Sequence, residues 1–317
     1  MNYNKRRNII LIAIILAIIA VLLVVILTVR KLTSKEYKLG KLGYTFDEIN
    51  IILNNDKITF DEVMNMEYDK NLPKIIEEKY FIKDNLKDYL EFMKTDVKVD
   101  ELDEVTSKDI VAMVNVGSNK NFYTDTIKTD TSKGVLMLVN KFNYLDKEYK
   151  PEDLVTMALE FAYQDKQVSN EAYLSFKSLV RDAKEENLTI IANSSYRSYE
   201  DQEYVYNQKK GSLGTEKADL IAIHPGYSEH QTGLAIDVST PGANTTTFDT
   251  TDEFKWLENN AHKYGFILRY PKGKEDITGY SYESWHYRYV GIKVATDMHN
   301  NYPNLTYEEY FYKYLDK

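Results

Sequence analysis

With no cysteine in the chain and only five histidines, any metal must be held by His, Asp or Glu, and each histidine can be weighed singly. His230 lies in the run Ser228-Glu229-His230-Gln231-Thr232-Gly233-Leu234-Ala235-Ile236-Asp237. Asp237 is the only charge in the apolar, strand-like stretch from Leu234 to Val238, and a lone buried carboxylate is costly unless it is paired or bound to a cation. His286 lies in Tyr282-Glu283-Ser284-Trp285-His286-Tyr287, again with an acid inside an aromatic segment. Two imidazoles and one carboxylate are the ligand set of an open catalytic zinc site, which leaves a fourth position for water. The competing arrangement is a buried His–Asp hydrogen bond beside an unrelated aromatic strand. Glu283 favours the metal, because hydrolysis at a metal site also needs a base beside the water. A regular strand would put Glu283 and His286 on opposite faces, so Glu283 is expected in a loop or bulge just before the strand.

The other histidines carry less. His262, between Ala261 and Lys263, and His299, in a polar C-terminal stretch, read as surface or satisfied side chains; His224, before Pro225-Gly226, is ambiguous. Arg197, in Ser194-Ser195-Tyr196-Arg197-Ser198, falls where a strand meets a capped helix, and a helix N-terminus and a guanidinium can together hold an anion there. A surface arginine is the alternative. Gln202, five residues on, falls in the first turns of the same helix.

These residues need elements to position them. Residues 171–185 place Ala172, Phe176, Leu179, Val180 and Ala183 along one helical face. Leu188–Ala192 reads as a buried strand, Ser198 as the cap of a helix running to Gly211, and Leu234–Val238 as a strand after Gly233. Thr250 and Glu253 form a capping box for a helix closed by Gly265, and Tyr280–Val290 is an aromatic strand candidate. Val135–Val139 is a further strand candidate, and Pro151 stands where a helix can start. Strands and helices mix without a regular βαβ rhythm, which indicates α+β.

Upstream, Ile9–Val29 contains only Ile, Leu, Ala and Val apart from Thr28, roughly 31 Å of helix at about 1.5 Å per residue, enough to span a bilayer core. The apolar run is longer than a signal-peptide core, and no small-residue cleavage pattern precedes Arg30, Lys31 and Lys35. An uncleaved anchor is therefore expected, with Lys5, Arg6 and Arg7 favouring a cytoplasmic N-terminus. Between Glu36 and Lys108 the signals are helical: Thr45-Phe46-Asp47-Glu48-Ile49 recurs as Thr59-Phe60-Asp61-Glu62-Val63, each copy a capping box. The acidic stretch Asp100–Glu104 reads as a solvated boundary. The layout is thus 1–8 cytoplasmic, 9–29 transmembrane, 30–108 a helical stalk or accessory region, and 109–317 the domain that carries the candidate site. The chain's net charge is −9, but the first 35 residues hold six basic residues and no acid, so the remainder stands at −15. That field argues against nucleic acid as a partner.

Taken together, the segments resemble the VanY-type zinc D-alanyl-D-alanine carboxypeptidases, whose signatures are S-x-H-x-x-x-x-x-x-D and a later E-x-W-H. Here they stand as Ser228 to Asp237 and Glu283-Ser284-Trp285-His286. The likeness runs from about Val135 to the C-terminus and includes Leu145-Asp146-Lys147-Glu148-Tyr149-Lys150-Pro151-Glu152-Asp153-Leu154-Val155, Tyr196-Arg197-Ser198 and Tyr264-Gly265-Phe266-Ile267-Leu268-Arg269-Tyr270-Pro271. It implies His230, Asp237 and His286 as ligands of Zn2+, Glu283 as general base and Arg197 as stabiliser of the oxyanion or the substrate carboxylate. It implies that Gln202, Ser228 and Trp285 line the peptide site. Ser284 stands where many relatives have Pro, which loosens the loop and removes no functional group. The implied fold is the α+β fold shared by D,D-peptidases and the hedgehog signalling domain, with the site on a small antiparallel sheet. The implied activity is removal of the terminal D-Ala from peptidoglycan stem peptides by an anchored enzyme on the extracellular, wall-facing side. An L,D-carboxypeptidase acting on tetrapeptide stems is the alternative within that chemistry, and a non-catalytic zinc-containing wall-binding module the alternative outside it.

Overall fold

The computed structural model describes residues 3–94, 106–163, 166–214, 222–243, 245 and 247–315, so Asp100–Glu104 lies outside the described residues. The N-terminal helix Tyr3–Thr33 contains Ile15–Thr33, 19 residues long and apolar enough to cross a membrane, a test that a signal sequence also passes. The described residues divide into two compact units, one extending to Val111 and the other from Ala112 onward. In the first, short helices Lys35–Leu42, Phe46–Asn54, Phe60–Met64, Leu72–Glu77 and Leu86–Phe92 bury Leu39, Ile52, Val63, Leu72, Ile75 and Tyr89. Both Thr-x-x-Glu capping boxes form, at Thr45/Glu48 and Thr59/Glu62, so the cap and N3 N–H groups at each helix start are satisfied locally.

The second unit is α+β. Its strands are β1 (Ile127–Lys128), β2 (Asn143–Tyr144), β3 (Leu154–Thr156), β4 (Gln167–Ser169), β5 (Ile191–Ser194), β6 (Ala235–Ser239), β7 (Phe266–Leu268) and β8 (His286–Tyr289). β5, β6, β8 and β7 form, in that order, a four-stranded antiparallel sheet. Strand period two sorts its residues. Ile236 and Val238 of β6 and Tyr287 and Tyr289 of β8 face a core shared with Ala172, Phe176, Leu179 and Ala183 of the helix Asn170–Glu185. Asp237 and His286 take the other face, and the register sets them directly opposite one another. Between Ala192 and Ser194 the β5–β6 register shifts, a bulge of the kind that re-aims the end of a strand.

Several sequence expectations are corrected. Val135–Val139 is no strand: Thr131–Leu136 is a 3-10 turn, and the carbonyls that a ladder would use are taken by side chains. Arg288 donates to Val135 and Met137, Tyr307 to Leu136, and Thr129 to Leu138. Pro151 opens no helix, because Asp153 accepts hydrogen bonds from Ser169 and Asn170 while Leu154–Thr156 pairs with β4. The cap of the helix Asp252–Asn260 is Thr251 rather than Thr250, and Glu253 instead accepts from Thr189 N and Thr240 Oγ1. The helix after Ser198 runs through Gly211 to Leu213, and the aromatic segment 280–290 is strand only over His286–Tyr289.

Candidate metal centre and catalytic cleft

The centre is assembled from β6, β8 and the turns that precede them. Glu229–Thr232 forms a single 3-10 turn closed by Gly233 in the left-handed region (φ 68°), which places His230 just before the chain enters β6. A Cβ on Gly233 would stand 3.0 Å from Leu154 Cδ2 and 3.1 Å from Pro151 Cγ, so both conformation and packing demand glycine there. Glu283 lies in the loop ahead of β8, and a turn bond from His286 N to Glu283 O folds its carboxylate back toward the ligand cluster.

One donor atom from each of His230, Asp237 and His286 falls within 4.8 Å of the others. Asp237 Oδ2 is 3.3 Å from His230 Nε2, and Asp237 Oδ1 is 3.0 Å from His286 Nδ1. A tetrahedral ion about 2.0–2.1 Å from each donor would separate the donors by about 3.3 Å, so the spacing fits zinc. The remaining hydrogen bonds agree. His230 presents Nε2 to the centre because its Nδ1 lies 2.7 Å from the carbonyl of Ser195, and the two oxygens of Asp237 each face one of the ligand imidazoles. Two lone-pair donors facing a carboxylate in a buried space are what a divalent cation relieves.

Electrostatics follows from burial and neighbours. Burial would raise Asp237, yet His230 and His286 hold it far below the usual carboxylate range. Burial pushes His230 down, and the charge of Arg197 acts in the same direction. His286 is raised to about 10: burial opposes this, but hydrogen bonds to Asp237 and Glu229 outweigh it. Burial pushes Glu283 up to about 7, with Asp237 adding to the rise and His286 and Arg197 opposing it. Glu283 Oε2 is 3.6 Å from His286 Nδ1, outside the three-donor cluster but beside it.

A cleft of about 270 Å³ opens on this centre, lined by Arg197, Gln202, His230, Asp237, Glu283 and Trp285 among others. Ser198 caps the helix Tyr199–Leu213 through a box with Asp201, which fixes Arg197 at the junction with β5. Arg197 donates to Gln202 Oε1 at 2.8 Å and to Ser194 Oγ at 3.3 Å, and Gln202 in turn donates to the carbonyl of Ile223. Ser228 Oγ is buried with no partner. The three histidines set aside lie elsewhere: His262 stacks on His299 at 3.7 Å, and His224 on Tyr123 at 3.9 Å.

A set of supporting charges escaped the sequence reading. His286 Nε2 is 3.3 Å from Glu229 Oε2, and Glu229 Oε1 accepts from Arg269 Nε at 2.7 Å and Arg288 Nη1 at 2.8 Å. Arg269 also donates to Glu308 from both terminal nitrogens. The available signal was the one that singled out Asp237, namely charges inside apolar or aromatic runs such as Leu268-Arg269-Tyr270 and Tyr287-Arg288-Tyr289.

Comparison with known proteins places this geometry. The family described as VanY, D-alanyl-D-alanine carboxypeptidase, matches residues 165–292. A putative carboxypeptidase, YodJ, of Bacillus subtilis (strain 168) is 41% identical over 205 residues, covering 61% of this chain and 74% of that protein. A D-alanyl-D-alanine carboxypeptidase of Enterococcus faecium is 34% identical over 206 residues, 62% of this chain and 64% of its own. Among solved structures, the LD-carboxypeptidase LdcB superposes with a TM-score of 0.56 at 42% identity, covering 60% of this chain and 91% of that one.

Proposed function

The chain belongs to the VanY family of D-alanyl-D-alanine carboxypeptidases, and from that premise we propose that its cleft removes the C-terminal D-alanine from peptidoglycan stem peptides, with Glu283 as general base and Arg197 as electrostatic stabiliser. It is a zinc metallopeptidase, and the donor set His230, Asp237 and His286 is the one that takes the ion. The observation that carries the reading is the convergence of these three donors with the Glu283 carboxylate at one end of a cleft that also presents Arg197.

His230, Asp237 and His286 would hold a zinc ion, whose chemistry there would be to lower the pKa of a water molecule and to polarise the scissile carbonyl. Glu283, made a better proton acceptor by burial, takes the proton of the attacking water and delivers it to the departing amine of D-alanine. Arg197, steadied by Gln202 and Ser194, offers its guanidinium to the negative charge that develops on the carbonyl oxygen or to the substrate carboxylate. Gln202 and Trp285 serve as walls of the cleft for the peptide, and the buried, unpartnered Ser228 hydroxyl as a hydrogen-bonding group. The N-terminal apolar helix, read as an anchor, tethers the enzyme to the membrane with the cleft on the wall side, where a polymeric substrate is fixed.

A second reading has an observation of its own: LdcB, with a TM-score of 0.56 and 42% identity, is an LD-carboxypeptidase, so cleavage of tetrapeptide stems is the alternative. Zinc content together with mass spectrometry of defined pentapeptide and tetrapeptide muropeptides separates the two. Loss of one alanine from the pentapeptide alone is the expected result. Loss from the tetrapeptide alone gives the L,D assignment, and no loss from either refutes an enzyme acting on these stems.

A further inference from the structure

Glu229 is one residue from a metal-ligand candidate, yet its own carboxylate lies outside the three-donor cluster, beside the far nitrogen of His286. It is fully buried, as are Arg269, Arg288 and Glu308. Two carboxylates and two guanidiniums balance in charge, but removing four ions from water is costly, and packed apolar side chains of similar volume commonly serve stability as well or better. Such a cluster calls for a reason other than stability, and its side-chain contact with His286 supplies it.

The two histidines of the centre use opposite nitrogens. His230 turns Nε2 inward, with Nδ1 on a neutral backbone carbonyl. His286 turns Nδ1 inward, with Nε2 on a buried carboxylate. A histidine ligand is oriented and made a stronger donor by the acceptor on its other nitrogen, and a carboxylate does this more strongly than a carbonyl. Glu229 can hold that place only if its other oxygen is fixed. Arg269 and Arg288 both donate to Oε1, which leaves Oε2 for His286. Each arginine is anchored in turn, Arg269 by Glu308 from the C-terminal segment and Arg288 by the carbonyls of Val135, Met137 and Tyr289.

We propose that Glu229 is a positioning residue that fixes His286 to ligate through Nδ1, and that Arg269, Arg288 and Glu308 form a buried, charge-balanced brace holding Glu229 to that task. This rests on the reading of His230, Asp237 and His286 as the metal centre. The test is zinc affinity by chelator competition, and the absorption spectrum of the cobalt-substituted protein, for the wild type, Glu229→Gln, Glu229→Asp and Glu308→Gln. Circular dichroism confirms folding in each. The expected result is a 10- to 100-fold loss of zinc affinity and a shifted cobalt spectrum for both Glu229 variants, with a smaller loss and a smaller shift in the same direction for Glu308→Gln, which acts only through Arg269. Glu229→Asp keeps a charge near the arginines while drawing back from His286, so it decides the matter if Glu229→Gln does not fold. Folded Glu229 variants with wild-type zinc affinity and cobalt spectrum would overturn the proposal, and a folded Glu308→Gln with wild-type affinity and spectrum would overturn the brace. A wild-type protein that fails to bind zinc refutes the metal centre itself, a separate outcome.

Discussion

Replacing Glu283 with Gln keeps the side chain's shape and removes its ability to accept a proton. Its Oε2 lies 3.6 Å from His286 Nδ1 and outside the cluster of three donors, so zinc content should stay at the wild-type level. A positioned general base contributes about 10²- to 10⁴-fold, or about 2.7 to 5.4 kcal/mol of barrier, and the loss should appear in kcat with little change in KM. The pH profile supplies a second magnitude. In the metal-free site burial raises Glu283 from 4.5 to about 7, and an adjacent dication lowers it again, so the acid limb of kcat/KM should fall between those two values. The active form is the carboxylate, so activity rises with pH across that window, and Glu283→Gln should lack the limb. The assay is release of D-alanine from a defined pentapeptide between pH 4 and 9, with zinc measured on the same samples. Retention of more than about a tenth of the activity, or loss of zinc in step with activity, would refute the assignment of Glu283 as base.

Arg197→Lys keeps the charge but not the fork that engages Gln202 and Ser194, so kcat/KM on the pentapeptide should fall by about 10²- to 10³-fold at unchanged zinc content. In the metal-free protein His286 is raised from 6.5 to about 10, so the stability it contributes is complete below 6.5 and is lost as pH rises through about 10; thermal melts of chelated protein across that range test this. Zinc must displace that proton, so apparent zinc affinity should rise with pH by up to about tenfold per unit, and calorimetry in buffers of different ionisation enthalpy should register proton release. Gly233→Ala forces a side chain into the left-handed region and against Leu154 and Pro151, and should cost about 1–3 kcal/mol, read as a lower melting temperature.

The parts of the site that were legible in the sequence are those where a residue contradicts its own neighbourhood. Asp237 interrupts an apolar strand, and Glu283 and His286 cannot share a face of one strand, which put Glu283 in a loop. What strand periodicity cannot provide is register: that Asp237 stands opposite His286 rather than Arg288 depends on how β6 and β8 pair, and nothing within either segment states it. The same gap explains why Val135–Val139 has the pattern of a strand without forming one. Its composition suits one, but its carbonyls are claimed by Arg288, Tyr307 and Thr129, two of which lie more than 150 residues away in sequence. The brace around Glu229 was missed for a related reason, since its partners are separated by 39 to 59 residues and no local pattern spans that distance. Yet Arg269 and Arg288 break their apolar and aromatic runs as plainly as Asp237 breaks its own. A charge that a folded strand must bury requires compensation, and when its neighbours in sequence are all apolar the compensating group has to arrive from another element. Several such charges in one domain therefore predict one another, and a balanced set of them beside a ligand histidine is better read as a single device than as separate exceptions.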